Sequence, residues 1–172
     1  YQEGGQGHPS RINLQYLGKD MAIEHKLACR SPRIHGCSDR IIIHAPNNPG
    51  LIRSLLSQYL KQTAEKYFNP HIEALANASG LQFTSLTIGL AKQRWGSCRS
   101  DKAIRLNAML LFLPKVLVTH VMLHELCHTV HQNHSKAFWT LLESLDSNTS
   151  ENKKYLRNTD YYYQYIPPYF WV

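Results

Sequence analysis

Residues 117–134 read LVTHVMLHELCHTVHQNH, and this stretch holds five of the chain's ten histidines. Apolar residues dominate its first half with no Gly or Pro to interrupt them, so it reads as a buried helix that starts at Pro114 and runs to about His131. Inside it, His124-Glu125-Leu126-Cys127-His128 has the form HExxH. Histidines four apart lie one above the other, about 6 Å apart along the helix axis, so both imidazoles can converge on one cation with Glu125 beside them. At this chain's own residue frequencies the pattern arises by chance about 0.02 times. A third ligand therefore decides its meaning.

The candidates are His120, His131 and His134. His131 lies about 10.5 Å along the axis from His124, too far for shared coordination on a straight helix, and His120 fails against His128 by the same argument. A chain that reverses at Gln132-Asn133, where Asn tolerates the left-handed conformation that ends helices, brings His134 back instead. Requiring that third histidine lowers the chance expectation to about 0.001. His120 and His131 then read as neighbours of the site or as surface residues, and Cys127 as a small core residue. The competing reading is a buried helix whose histidines are satisfied by hydrogen bonds; against it stands Glu125, since carboxylates are rarely buried without a partner. A Zn²⁺ ion on His124, His128 and His134 keeps a fourth position for water, lowers the pKa of that water towards about 7, and leaves Glu125 to take the proton.

Upstream, Ile12, Leu14 and Tyr16 alternate with polar residues, Gly18-Lys19-Asp20 supplies a turn, and Met21, Ile23, His25 and Leu27 alternate again, which predicts a β-hairpin. Residues 30–40 read as loop, Ile41 to His44 as a short strand. Helical spacing follows from Leu51, with Asn69-Pro70 resembling the start of a second helix, so two helices or one with a break are expected up to Gly80. Residues 84–92 and 103–107 read as strands joined by a loop, a second hairpin. A last amphipathic helix follows Ser135, with Phe138, Leu141, Leu142 and Leu145 on one face. From Asn152 the chain changes character, with eight aromatics, among them Tyr155, Tyr162 and Trp171. The expected organisation is a disordered or artificially appended N-terminus at 1–11, one domain at 12–151, and an aromatic tail at 152–172 that packs on the domain or lies across its cleft.

At 172 residues and 43% apolar composition the chain can bury a core, which excludes a disordered protein. No apolar run is long enough to span a bilayer, and no secretion signal is visible. Cys29, Cys37, Cys98 and Cys127 form no CxxC pair and no dense framework, which fits reduced thiols and a cytoplasmic setting. The net charge of +7 is spread singly. Its one concentration is Lys92, Arg94, Arg99, Lys102, Arg105 and Lys115 against Asp101, read either as a solvated face or as a weak sign of association with nucleic acid.

The HExxH stretch, His134-Ser135, Phe138-Trp139, and the upstream Arg94-Trp95-Gly96-Ser97-Cys98 and Leu106-Asn107 together resemble the YgjP-like metallopeptidase domain, a small zincin related to the SprT-like and WLM peptidases. The resemblance covers about residues 12–145. It implies an α+β fold of the minigluzincin type, with a mixed β-sheet packed on the active-site helix, zinc held by His124, His128 and His134, and Glu125 as the base. It also implies an edge strand that pairs with substrate backbone, for which Trp95, Gly96 and Ser97 are the candidates. The alternative for that segment is a structural turn, with Trp95 in the core and Gly96 needed for its backbone conformation. His131 stands where metzincins have glycine, which disfavours that class.

The expected function is zinc-dependent hydrolysis of peptide bonds in a peptide or protein substrate, through a zinc-bound water activated by Glu125, with Tyr155 or a nearby basic residue as candidate oxyanion donor. The alternatives are a metal-dependent hydrolase of nucleotide phosphoanhydrides and a zinc-stabilised module that binds nucleic acid or protein. Cys98 reads as an inert buried thiol or as a thiolate that approaches the metal.

Overall fold

The computed structural model describes residues 3–4, 8–27, 31–91, 94–158, 161 and 163–170. Among the residues singled out above, Cys29, Lys92, Tyr162 and Trp171 lie outside the described residues. Strand β1 (Glu3–Gly4) pairs antiparallel with β2 (His8–Pro9). Both residues of β2 are buried. The predicted hairpin is present as β3 (Arg11–Leu14) and β4 (Lys19–Lys26), paired antiparallel and turned at Gly18, whose left-handed φ of 61° suits a residue without a Cβ.

A four-stranded sheet is completed by β5 (Arg33–Gly36) and β6 (Arg40–His44), in the order β3-β4-β6-β5, with β4 and β6 parallel. Strand β5 falls in the segment read as loop. Its residues are largely exposed and carry no apolar alternation, and the antiparallel pairing to β6 is what holds it extended. On the covered face of this sheet Ile12, Leu14, Met21, Ile23, Ile41 and Ile43 are buried.

Helix α1 (Pro49–Ser79) is one continuous element with Pro70 inside it, not two. Asn48 caps its start by accepting from Leu51 N, and Gly80 ends it with φ 71°. Ile52, Leu56, Leu60, Ala64, Phe68, Ile72 and Ala76 are all buried at intervals of four. That unbroken stripe outweighs the cost of a proline, which removes one N–H and crowds one carbonyl. Side chains serve the backbone around the interruption: Asn69 Nδ2 donates to Glu65 O at 2.8 Å, and Tyr16 Oη donates to Tyr67 O at 3.4 Å.

The second predicted hairpin is corrected. Strand β7 (Ser85–Gly89) runs parallel to β9 (Ala103–Asn107), and the antiparallel partner of β9 is β8 (Gly96–Cys98), giving a three-stranded sheet in the order β7-β9-β8. Residues 99–102 make the tight turn between β8 and β9, with Lys102 left-handed at φ 63°. Strand β8 is an edge, and it lies against the helix that carries HExxH.

A buried 3-10 turn at Ala108–Phe112 then leads into α2 (Lys115–Cys127), which is buried nearly all round. Helices α3 (Lys136–Leu145) and α4 (Thr149–Arg157) follow and pack against α2. Past α4, Ile166 and Pro167 are buried, Phe170 packs on Phe112 at 5.4 Å between centroids, and Tyr169 Oη donates to Pro49 O. The last described residues thus lie on α1 and the 3-10 turn, while α4 is the part of the C-terminal region that reaches the cleft. No helix of the structure is long and apolar enough to cross a membrane.

Candidate active site

Helix α2 ends at Cys127, and His128 is its C-cap, one turn earlier than expected. The reversal that follows uses no left-handed residue, because Lys102 is the only described non-glycine with positive φ. Hydrogen bonds make the bend instead: His131 N donates to Cys127 O at 2.9 Å, and Gln132 Nε2 donates to His128 O at 2.7 Å. The outcome is nevertheless the expected one for His134. Its Nε2 lies 3.1 Å from His124 Nε2, which is in turn 3.2 Å from His128 Nε2.

One ligand atom from each of His124, His128 and His134 falls within 4.8 Å of the other two. His128 Nδ1 donates to His131 O at 2.9 Å, which leaves the His128 Nε2 lone pair facing inward. A single His124 nitrogen cannot donate to both neighbours, so hydrogen bonds alone leave this cluster unsatisfied. A cation among the three satisfies it. Tetrahedral Zn–N bonds of about 2.0–2.1 Å require nitrogens about 3.3 Å apart, close to the spacing seen. Burial, followed by the fields of His128, His134, His120 and Lys153, pushes the His124 pKa down to about 3, so the ring is neutral and able to act as a ligand.

Phe138 of α3 fixes the three rings. It stacks on His128 at 4.5 Å and meets His124 and His134 edge-on at 4.9 Å each. Trp139 stacks on His134 at 5.5 Å. Truncating Phe138, which is fully buried, to Ala is expected to cost about 3–5 kcal/mol of stability. It is also expected to weaken metal affinity by about 10–100-fold, since the rings lose their support. Denaturant unfolding and a chelator competition titration would check the two effects.

Glu125 is 5% exposed, and its Oε2 is buried with no hydrogen-bond partner among the described residues. Burial pushes its pKa up to about 8. Gly96 of β8 sits directly on it: a Cβ there would lie 2.7 Å from Glu125 Oε1 and 2.9 Å from Cδ. Gly96 has no positive φ, so close approach to the carboxyl is what requires glycine, not its own backbone conformation. Asn107 holds this segment in place, donating through Nδ2 to Ala91 O (2.7 Å) and Arg94 O (3.0 Å), while its backbone N donates to Trp95 O at 2.8 Å.

His120 is 3% exposed and donates through Nδ1 to Asp146 Oδ2 at 2.6 Å. Burial would raise the Asp146 pKa, but hydrogen bonds from His120, Asn152 and the Asn148 backbone outweigh it and lower the value. His120 thus stands beside the cluster as an anchored neighbour, its ring 6.4 Å from that of His124. His131 contributes its carbonyl.

Cys127 is buried, its thiol pushed up to about 12 by burial. The Cys98 thiol, raised to about 11 by burial first and by Glu125 second, donates to Arg99 O at 3.5 Å and is not in the ligand cluster. Tyr155 Oη donates to Glu151 and does not line the cleft. Of the basic stretch, Arg94 lines the cleft, Arg105 lies across Gly89, and Arg99 pairs with Asp101 at 3.3 Å.

The cleft is a cavity of about 410 Å³ lined by Trp95 and Gly96 at the start of β8, by His120, His124 and Glu125 of α2 with His134, and by Trp139 of α3 and Lys153, Leu156 and Arg157 of α4. The roles of Phe138, Asp146 and the α4 cations had no local sequence signal, because each depends on a contact between separate elements.

The chain belongs to the YgjP-like metallopeptidase domain family, whose model matches residues 6–159. Comparison with curated proteins and with solved structures gives no match. Membership implies a metal ion, hydrolytic activity, and a peptide or protein substrate.

Proposed function

We propose that this member of the YgjP-like family binds one Zn²⁺ through His124, His128 and His134 and hydrolyses peptide bonds with Glu125 as general base. The observation that carries the reading is the buried Glu125 Oε2, without a partner among the described residues, next to three converging imidazoles at an open cleft. Zinc, when bound, supplies Lewis-acid chemistry, acidifying a water towards pKa about 7 and polarising a carbonyl. Glu125 takes one proton of the attacking water as its oxygen bonds to the scissile carbonyl carbon, then returns that proton to the departing nitrogen.

We place an extended substrate along edge strand β8, with Trp95, Gly96 and Ser97 as the segment it meets, in the manner of a zincin-type fold. We read residues 12–151 as the working domain and 152–172 as a tail packed on it. The free thiols of Cys37, Cys98 and Cys127 agree with a cytoplasmic location. A structural zinc site closes with a fourth protein ligand; only three histidines converge among the described residues, which favours a catalytic site over a binding module.

The test is turnover of an unbiased peptide library. Purified protein is expected to cleave a subset of peptides, to lose the activity on chelation, and to regain it with one equivalent of zinc. A second reading keeps the same groups but takes a nucleotide phosphoanhydride, favoured by the cations Arg94, Lys153 and Arg157 on the cleft. Release of phosphate from nucleoside triphosphates with no cleavage of any peptide would replace the first reading by the second.

A further inference from the structure

Three side chains with permanent positive charge line the cleft, Arg94 from the segment before β8 and Lys153 and Arg157 from α4, against one carboxyl group, that of Glu125. Among the described residues none of the three is ion-paired. Lys153 and Arg157 are four apart on α4 and so share a face. The helix dipole rewards basic residues in a last turn on any face, and Lys154, which satisfies it equally, is not on the cleft wall. The dipole therefore explains a basic end to α4 but not the turning of two cations into the cleft.

Lys153 is also held in position. Its Nζ lies 3.6 Å from the centroid of the Trp139 ring, and Trp139 is itself stacked on His134. An ammonium fixed this way, one ring away from the ligand cluster, is poised to meet a group on the residue next to the reacting bond.

We propose that the cleft selects peptides bearing a carboxylate beside the bond that is cut, received by Lys153 and Arg157 of α4 and by Arg94. This rests on the peptidase reading. The carboxylate has two possible sources, an Asp or Glu side chain or the free C-terminus of the substrate. In either case a neutral or cationic group at the same position forgoes the attraction or is repelled.

The test pairs binding with turnover. Fluorescently labelled peptides, with a single Glu or its Gln counterpart at each position around the cleaved bond, and with a free or amidated C-terminus, are titrated against the Glu125→Gln protein by anisotropy. The same peptides are then offered to the wild-type enzyme. One acidic peptide is expected to bind about tenfold or more tightly than its amide counterpart, the scale of a charge-assisted hydrogen bond. Lys153→Gln and Arg157→Gln should each reduce that ratio, their combination should bring it near one, and Lys153→Arg should preserve it. Preference for internal Glu identifies a side-chain carboxylate; preference for the free acid over the C-terminal amide identifies the terminus.

A ratio near one at every position and at the terminus overturns the proposal, as does a ratio untouched by the double substitution. If acidic peptides bind preferentially yet wild-type enzyme cleaves none, the peptidase reading falls and the carboxylate-selecting cleft stands. Cleavage without any charge preference has the opposite meaning.

Discussion

Glu125→Gln is expected to lower kcat by about 10²- to 10⁴-fold while the protein still binds its metal, because a general base is lost and no ligand is touched. Gln is close to isosteric and fits the space beside Gly96, so the loss reports chemistry and not packing. Full activity in a metal-loaded Gln variant would remove Glu125 from the mechanism. The same substitution has a second expected effect, in the metal-free protein. Burial raises the Glu125 pKa from an ordinary 4.5 to about 8, so folding favours the protonated form. The cost of ionising this buried group is absent below about pH 4.5, grows as pH rises, and is complete above about pH 8. Gln carries no such cost. The stability gap between variant and wild type should therefore be unaffected by this ionisation near pH 4 and should move in favour of the variant by about 5 kcal/mol by pH 9. Denaturant unfolding of both metal-free proteins at the two pH values reads this directly.

Gly96→Ala is the second large expected effect. The added methyl would meet Glu125 Oε1 at 2.7 Å and Cγ at 2.8 Å, closer than van der Waals contact allows. Either β8 retreats from α2 or the carboxyl swings away. Overpacking of this kind costs about 1–3 kcal/mol of stability, but displacing a catalytic group by about 1 Å costs on the order of a hundredfold in rate. The expected signature is a drop in kcat far larger than the change in stability predicts, with metal affinity retained, measured by steady-state kinetics beside a metal titration. A variant that keeps wild-type kcat would show that the contact between Gly96 and Glu125 does not position the base.

The parts of the site that could be read from sequence were the local ones. His124 and His128 are related by helical period and His134 by a reversal six residues on, so their convergence depends on a short run of chain. Even there the device differs from the one Asn133 suggests: hydrogen bonds from His131 and Gln132 make the turn, and Asn133 is not left-handed. Alternating apolar residues marked β7 and β9, but alternation carries no direction, and their parallel pairing was not visible. Asn69-Pro70 has the chemistry of a helix start, yet the buried stripe through Phe68 and Ile72 keeps α1 whole. Gly96 was picked out by resemblance, and its steric reason appeared only when β8 was found against α2.

The three imidazoles all come from one short span, residues 124–134, whereas the apolar core draws on elements from β3 to the segment after α4. Closing so small a loop recovers little chain entropy, and loop-closure cost grows only slowly with length. Metal removal is therefore expected to leave the scaffold folded, unlike the small domains whose folding waits for zinc, which a comparison of thermal unfolding with and without chelator checks. The ion should exchange without global unfolding, and the folded chain could persist through scarcity as an inactive reserve restored by resupply.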